Sequence, residues 1–124
     1  MDLSNARYAS LATFRRNGVA VPTPVWFAAD GNEYFVFSEG AAGKVKRIRA
    51  NGRARLAACD VRGRLLGPWH EASARLLTEP AEITRAYRAL RRRYGWQMRL
   101  LDLMSKLGGK FDKRALIAVT LDTP

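Results

Sequence analysis

The chain has 124 residues, of which 48 % are hydrophobic, and a formal net charge of +11; that length suits one domain, residues 1–124, with a modest core, and that charge calls for an anionic partner. Cys59 is the only cysteine and His70 the only histidine, which excludes an internal disulfide, a cysteine metal cluster and any triad that does not use His70. No apolar run approaches the ~20 residues of a membrane span and none at the N-terminus has signal-peptide length, so a cytoplasmic protein is expected.

Period-two patterns dominate the first two thirds. Tyr8 to Phe14 is a short apolar run, followed by Asn17-Gly18, a strong hairpin-turn signal. Val19, Val21, Thr23, Val25 and Phe27 then alternate with Ala20, Pro22, Pro24 and Trp26, which reads as one strand. Pro22 and Pro24 have no N–H to donate, so one side of that strand is expected to be unpaired. Asp30-Gly31-Asn32 predicts a second turn. Glu33 to Ser38 predicts a third strand, with Phe35 and Phe37 on one face and Tyr34 and Val36 on the other.

A short helix is predicted from Gly43 to the stop signal Asn51-Gly52. Its first turn carries Lys44, Lys46 and Arg47, the wrong end for cations, because a helix start already bears partial positive charge. An anion docked among free N–H groups and basic side chains would resolve the conflict. The loop is not a P-loop, since the terminal Gly-Lys-Ser/Thr is absent. A solvated basic helix is the plainer alternative.

Arg53 to Val61 predicts a fourth strand, with Leu56 and Ala58 on one face and Arg53 and Arg55 on the other. After the turn at Arg62-Gly63, Leu65 to Leu77 predicts a long strand bulged at Gly67-Pro68, with Ala72, Ala74 and Leu76 inward. Glu79-Pro80 starts a helix with the stripe Ile83, Ala86, Tyr87, Leu90 and Tyr94. Its basic run, Arg85, Arg88 and Arg91 to Arg93, reads as a solvated face. Trp96, Leu100, Leu103 and Leu107 predict a second helix, and Ala115 to Asp122 a final strand. The order β-β-β-α-β-β-α-α-β predicts a mainly β (α+β) domain: a small antiparallel barrel with helical additions.

The segments Pro22-Thr23-Pro24-Val25-Trp26-Phe27, Asp30-Gly31-Asn32, Phe35-Val36-Phe37-Ser38 and Gly43-Lys44-Val45-Lys46-Arg47-Ile48-Arg49 resemble the pyridoxamine 5'-phosphate oxidase-like proteins. Arg62-Gly63-Arg64, Ala72 to Leu77 and Tyr94-Gly95-Trp96 fit as well, so the resemblance runs from about Tyr8 to Leu121. Within that group the chain is most similar to a branch described as users of the deazaflavin coenzyme F-420. The resemblance implies a split antiparallel β-barrel, of the FMN-binding kind, with a short helix after strand three and a helical pair before the last strand. It implies a homodimer with the cofactor in the cleft between barrels. It also implies that Lys44, Lys46 and Arg47 grip the cofactor phosphate, that Pro24, Val25 and Trp26 lie beside the ring system, and that Ser38 marks the strand end. Ala42-Gly43 stands where the oxidases have Ser-Arg, and the oxidases' C-terminal Arg/His substrate-phosphate motif is missing. Pyridoxine phosphate oxidation is therefore not expected.

The expected activity is that of an oxidoreductase using F-420, or alternatively FMN, to pass hydride to a small organic acceptor. The cofactor carries such chemistry, so no protein nucleophile, catalytic side chain or metal is required. Trp69 and His70 are weaker candidates for a substrate pocket, against the plainer reading of surface residues. The rival readings are an FMN flavoprotein, or a non-enzymatic module that binds a cofactor, haem or nucleic acid. Aromatics are not interleaved with the arginine run as a nucleic-acid stacking platform needs, so nucleic acid is not favoured.

Overall fold

The computed structural model describes residues 3–39, 43–95 and 114–122. After a 3-10 turn at Leu3–Asn5, the elements are β1 (Tyr8–Phe14), β2 (Ala20–Val25), β3 (Phe27–Asp30), β4 (Glu33–Glu39), α1 (Gly43–Ala50), β5 (Arg53–Cys59), β6 (His70–Leu76), α2 (Pro80–Tyr94) and β7 (Arg114–Leu121). The second predicted helix, from Trp96 to Leu107, lies outside the described residues.

All seven strands form one antiparallel sheet in the order β2-β1-β5-β6-β7-β4-β3. The two edge strands are consecutive in the chain, with only Trp26 between them. The predicted single strand across residues 19–27 is thus two. β2 pairs with β1 from Ala20↔Phe14 to Val25↔Ala9, while β3 pairs with β4 from Phe27↔Val36 to Asp30↔Glu33. One bent strand therefore ties the two ends of the sheet together and rolls it into a split barrel. β2 pairs with β1 through both Pro22 and Pro24, so their nitrogens must face the unpaired edge, as the sequence requires.

The strand faces divide the core in two. Leu11, Val25, Phe27, Val36, Leu56, Ala72, Ile117 and Val119 fill the barrel, and Ile48 of α1 packs among them. Phe35, Leu116 and Ala118 on the opposite face meet Ala86, Ala89, Leu90 and Tyr94 of α2. The alternation of Phe35/Phe37 against Tyr34/Val36 is the physical reason one strand serves both cores.

Three further expectations need correction. The fourth strand ends at Cys59 rather than Val61. The long strand from Leu65 is interrupted: Cys59 bridges Leu65, but the ladder resumes only at Leu56↔His70. Between these pairs Leu66 to Trp69 oppose only Ala57 and Ala58, leaving two extra residues around Gly67-Pro68, the predicted bulge site. The arginine run on α2 is not uniformly solvated either. Arg85 pairs with Asp30 and Glu33, and Arg93 donates to the Ala6 carbonyl and lies over the Phe27 ring at 4.8 Å. Arg88, Arg91 and Arg92 are exposed.

Candidate functional site

α1 is short and basic, and its register sorts the three predicted cations. Val45 and Ile48 face the core. Lys44 and Arg47, three residues apart, share one side of the helix and are half-buried. Lys46, two residues from Lys44, is exposed and points off that side. The structure therefore brings Lys44 and Arg47 together and leaves Lys46 apart from them.

Arg47 is held in a defined pose. Its Nε donates to Thr13 Oγ1 at 2.7 Å, and Thr13 is fully buried in β1. Its guanidinium reaches back over the helix start, where a Cβ on residue 43 would stand 2.9 Å from Nη1. Gly43 thus leaves open the space that the guanidinium occupies. Any side chain at residue 43 would compete for that space. Sequence reading missed Thr13 because its signal was tertiary: a threonine in an apolar strand gives no hint of a partner 34 residues away.

Thr13 pairs with Val21 of β2, and Pro24 follows three residues later. Along the strand direction Thr13 and Pro24 are thus offset by three residues, ~10 Å, and strand alternation puts Val25 on the Thr13 face and Pro24 on the opposite one. Val25 is buried in the barrel, and Pro24 is exposed. The β3–β4 pairing extends through the Phe37 N–H bond to the Trp26 carbonyl, which brings buried Ser38 to the level of Val25. Ser38 and the Pro24-Val25-Trp26 segment are thus neighbours at the barrel seam.

Trp26 turns outward from the barrel and stacks on Tyr94, with ring centroids 4.7 Å apart and planes 17° apart. Its indole is packed against α2, and its backbone sits at the seam. Gly63, at the tip of the β5–β6 connection, lies against the Pro24 ring; a Cβ there would be 3.7 Å from it. Asp60 fixes that tip by accepting from the Arg64 and Arg62 N–H groups, and its carboxyl pKa is lowered, chiefly by the Arg64 N–H and further by the Arg62 N–H and the Arg64 guanidinium. The Arg62-Gly63-Arg64 turn and the Pro24 strand, separate in sequence, thus meet in space.

Trp69 is 38 % exposed, and His70 is half-buried opposite Leu56, two strands from β1. The structure does not bring these two to the start of α1. Buried Cys59 is free, and burial followed by the Asp60 charge pushes its thiol pKa up, away from the reactive thiolate. Among the described residues no three His, Cys, Asp or Glu side chains could hold a metal ion, and no helix is long and apolar enough to cross a membrane.

A seven-stranded antiparallel sheet closed by one bent strand, with a basic helix capping the barrel, defines the split-barrel class. Residues 2–123 match the family described as pyridoxamine 5'-phosphate oxidase, and the chain belongs to that family. No curated protein sequence matches significantly. Among solved structures the chain is similar to the haem storage protein HutZ from Vibrio cholerae, at 13 % identity and TM-score 0.74, covering 98 % of this chain and 85 % of that one. It is similar to a putative pyridoxamine 5'-phosphate oxidase from Listeria innocua, at 13 % identity and TM-score 0.66, covering 98 % and 88 %. It is also similar to an F-420 reductase, at 22 % identity and TM-score 0.58, covering 98 % and 90 %. At these identities the likeness is one of fold.

Proposed function

We propose that the chain is an oxidoreductase that binds a phosphorylated ring cofactor, coenzyme F-420 in preference to FMN, and serves hydride transfer to a small organic acceptor. The observation that carries this reading is the Arg47 guanidinium, held by Thr13 in the space that Gly43 leaves open at the start of α1. A donor fork at the start of a helix suits a phosphate. Lys44 stands on the same side, and Lys46 adds long-range charge. The ring would lie along Pro24, Val25 and Trp26, with Ser38 beside Val25.

When bound, such a cofactor supplies a hydride from its reduced ring, two electrons and a proton moving together to the acceptor. The chain's own residues bind, orient and exclude water. The exposure of Pro24 leaves the ring side open to a second subunit, and the reading includes a homodimer whose cleft holds the cofactor. It also places the protein in the cytoplasm. Trp69 and His70 fall two strands from Arg47's partner strand, so as substrate-pocket residues they would act across that dimer cleft. The F-420 preference rests on the +11 charge, which suits a polyanionic cofactor, and on the F-420 reductase neighbour.

The test is titration of wild-type protein and the Lys44→Ala/Arg47→Ala double variant with FMN and with riboflavin, which lacks the phosphate. Two lost charge-assisted contacts, each about 1.5–3 kcal/mol, should weaken FMN binding well over tenfold and leave riboflavin binding unchanged. Equal affinities of the double variant and wild type for FMN would overturn the assignment. The HutZ likeness makes haem the second reading, with His70 as the one histidine available for iron. A Soret band on haem addition that His70→Ala abolishes would favour it.

A further inference from the structure

The barrel splits where one hydroxyl enters the sheet. The β1–β2 ladder runs up to Ala9↔Val25. Continued by two residues, it would pair Arg7 with Phe27. Those residues do not bond directly. The Tyr94 hydroxyl stands between them, 2.8 Å from the Arg7 carbonyl, 2.9 Å from the Phe27 N–H nitrogen and 2.9 Å from the Phe27 carbonyl. It accepts from the N–H, and its single proton is shared between the two carbonyls.

The geometry explains why a partner is needed there. The Phe37 N–H donates to the Trp26 carbonyl, and the polar groups of the next residue, Phe27, face away from β4 toward the open seam and the Tyr94 hydroxyl. Phe27 is fully buried, and water cannot serve those groups. α2 supplies the substitute. Its last residue delivers the hydroxyl, its ring stacks on Trp26, and the adjacent Arg93 donates to the Ala6 carbonyl. The end of α2 therefore holds both sides of the seam, β1 through residues 6 and 7 and β3 through residue 27.

We propose that Tyr94 is a positioning residue: its hydroxyl is a wedge that keeps β1 and β3 from zipping together and so fixes the Val25-Trp26-Phe27 bend beside which the cofactor ring would lie. The wedge itself stands on the geometry; its effect on ring binding rests on the function proposed above. Without the hydroxyl, Phe27 N–H can reach the Arg7 carbonyl only if the strands close, and Val25 and Trp26 move with them.

Two measurements test this. In the wild-type protein without cofactor, NMR should show a slowly exchanging Tyr94 hydroxyl proton in cross-relaxation with the Phe27 amide; a fast-exchanging hydroxyl with no such contact overturns the wedge, whether or not any variant folds. In Tyr94→Phe, affinity for FMN and for riboflavin should fall together by about tenfold, because the ring end is disturbed and the phosphate end is not, with the Trp26 indole resonance shifted. A variant with a lower melting temperature but both affinities unchanged would show a structural pin only and overturn the positioning role. If wild-type protein binds neither flavin nor deazaflavin, the proposed function fails, while the hydroxyl measurement still decides the wedge.

Discussion

Gly43→Ala should move stability and binding in opposite directions. The new Cβ would stand 2.9 Å from Arg47 Nη1 and 3.5 Å from Cζ and Nη2. The obstructed atoms are the far end of a flexible side chain, so the helix can accept the methyl group by expelling the guanidinium. Alanine is also favoured over glycine in a helix by about 0.5–1 kcal/mol, an upper bound at the first helical residue. The melting temperature should therefore hold or rise by a few degrees. The expelled guanidinium, however, can no longer keep both the Thr13 bond and its place at the helix start. Loss of one charge-assisted phosphate contact, about 1.5–3 kcal/mol, is roughly 10- to 150-fold in affinity. Isothermal titration with FMN and riboflavin reads the binding, and calorimetric melting reads the fold. Undiminished FMN affinity in a stably folded Gly43→Ala protein would refute the reasoning, because it would show that the guanidinium's place over residue 43 is not where the phosphate is held.

Acid should loosen the outer face of the barrel. Glu82 is lowered in pKa chiefly by its hydrogen bond to Arg75, and Glu71 by its bonds to Arg55 and then Arg53. Carboxyls depressed in the folded state contribute stability above their unfolded value near 4.5, lost as pH falls through the folded values, so melting temperature should be flat from pH 7 to 5 and drop below about 4.5; a flat profile to pH 3 would contradict this. Cys59→Ala should keep cofactor binding and any turnover, since the buried thiol is pushed toward its neutral form; loss of turnover in a folded variant would make it a chemical participant. Light scattering at micromolar concentration should give about twice the 13.9 kDa chain mass, and a monomer mass would contradict the shared cleft.

Strand alternation made most of the barrel legible. Phe35 and Phe37 against Tyr34 and Val36, and Ala72 and Ala74 against Glu71 and Ser73, fall on the faces the pattern assigns, because a period of two maps directly onto the pleat. The bend at Trp26 was hidden, since alternation continues unbroken from Val21 to Phe27 while the hydrogen-bonding partner changes from β1 to β4. Pairing partners leave no local mark on side-chain pattern. The same limit concealed Thr13 as Arg47's acceptor and Tyr94's hydroxyl in the seam, where only the apolar stripe of α2 was readable. Arg93 looked solvated because its helical position borders the exposed face; its guanidinium instead lies over the Phe27 ring. Among the cations, the cluster was visible in sequence, and the side-by-side placement of Lys44 and Arg47 with Lys46 apart needed the helix register.

The most direct test of the central claim is parallel fluorescence titration of the purified wild-type protein with F-420 and FMN at 20 mM and 300 mM salt. Both should bind saturably, F-420 more tightly at low salt, with the gap narrowing as added salt screens the basic surface. Saturable binding of neither, or FMN retained through purification with F-420 unable to compete, would contradict it: the first the cofactor role, the second the choice of deazaflavin.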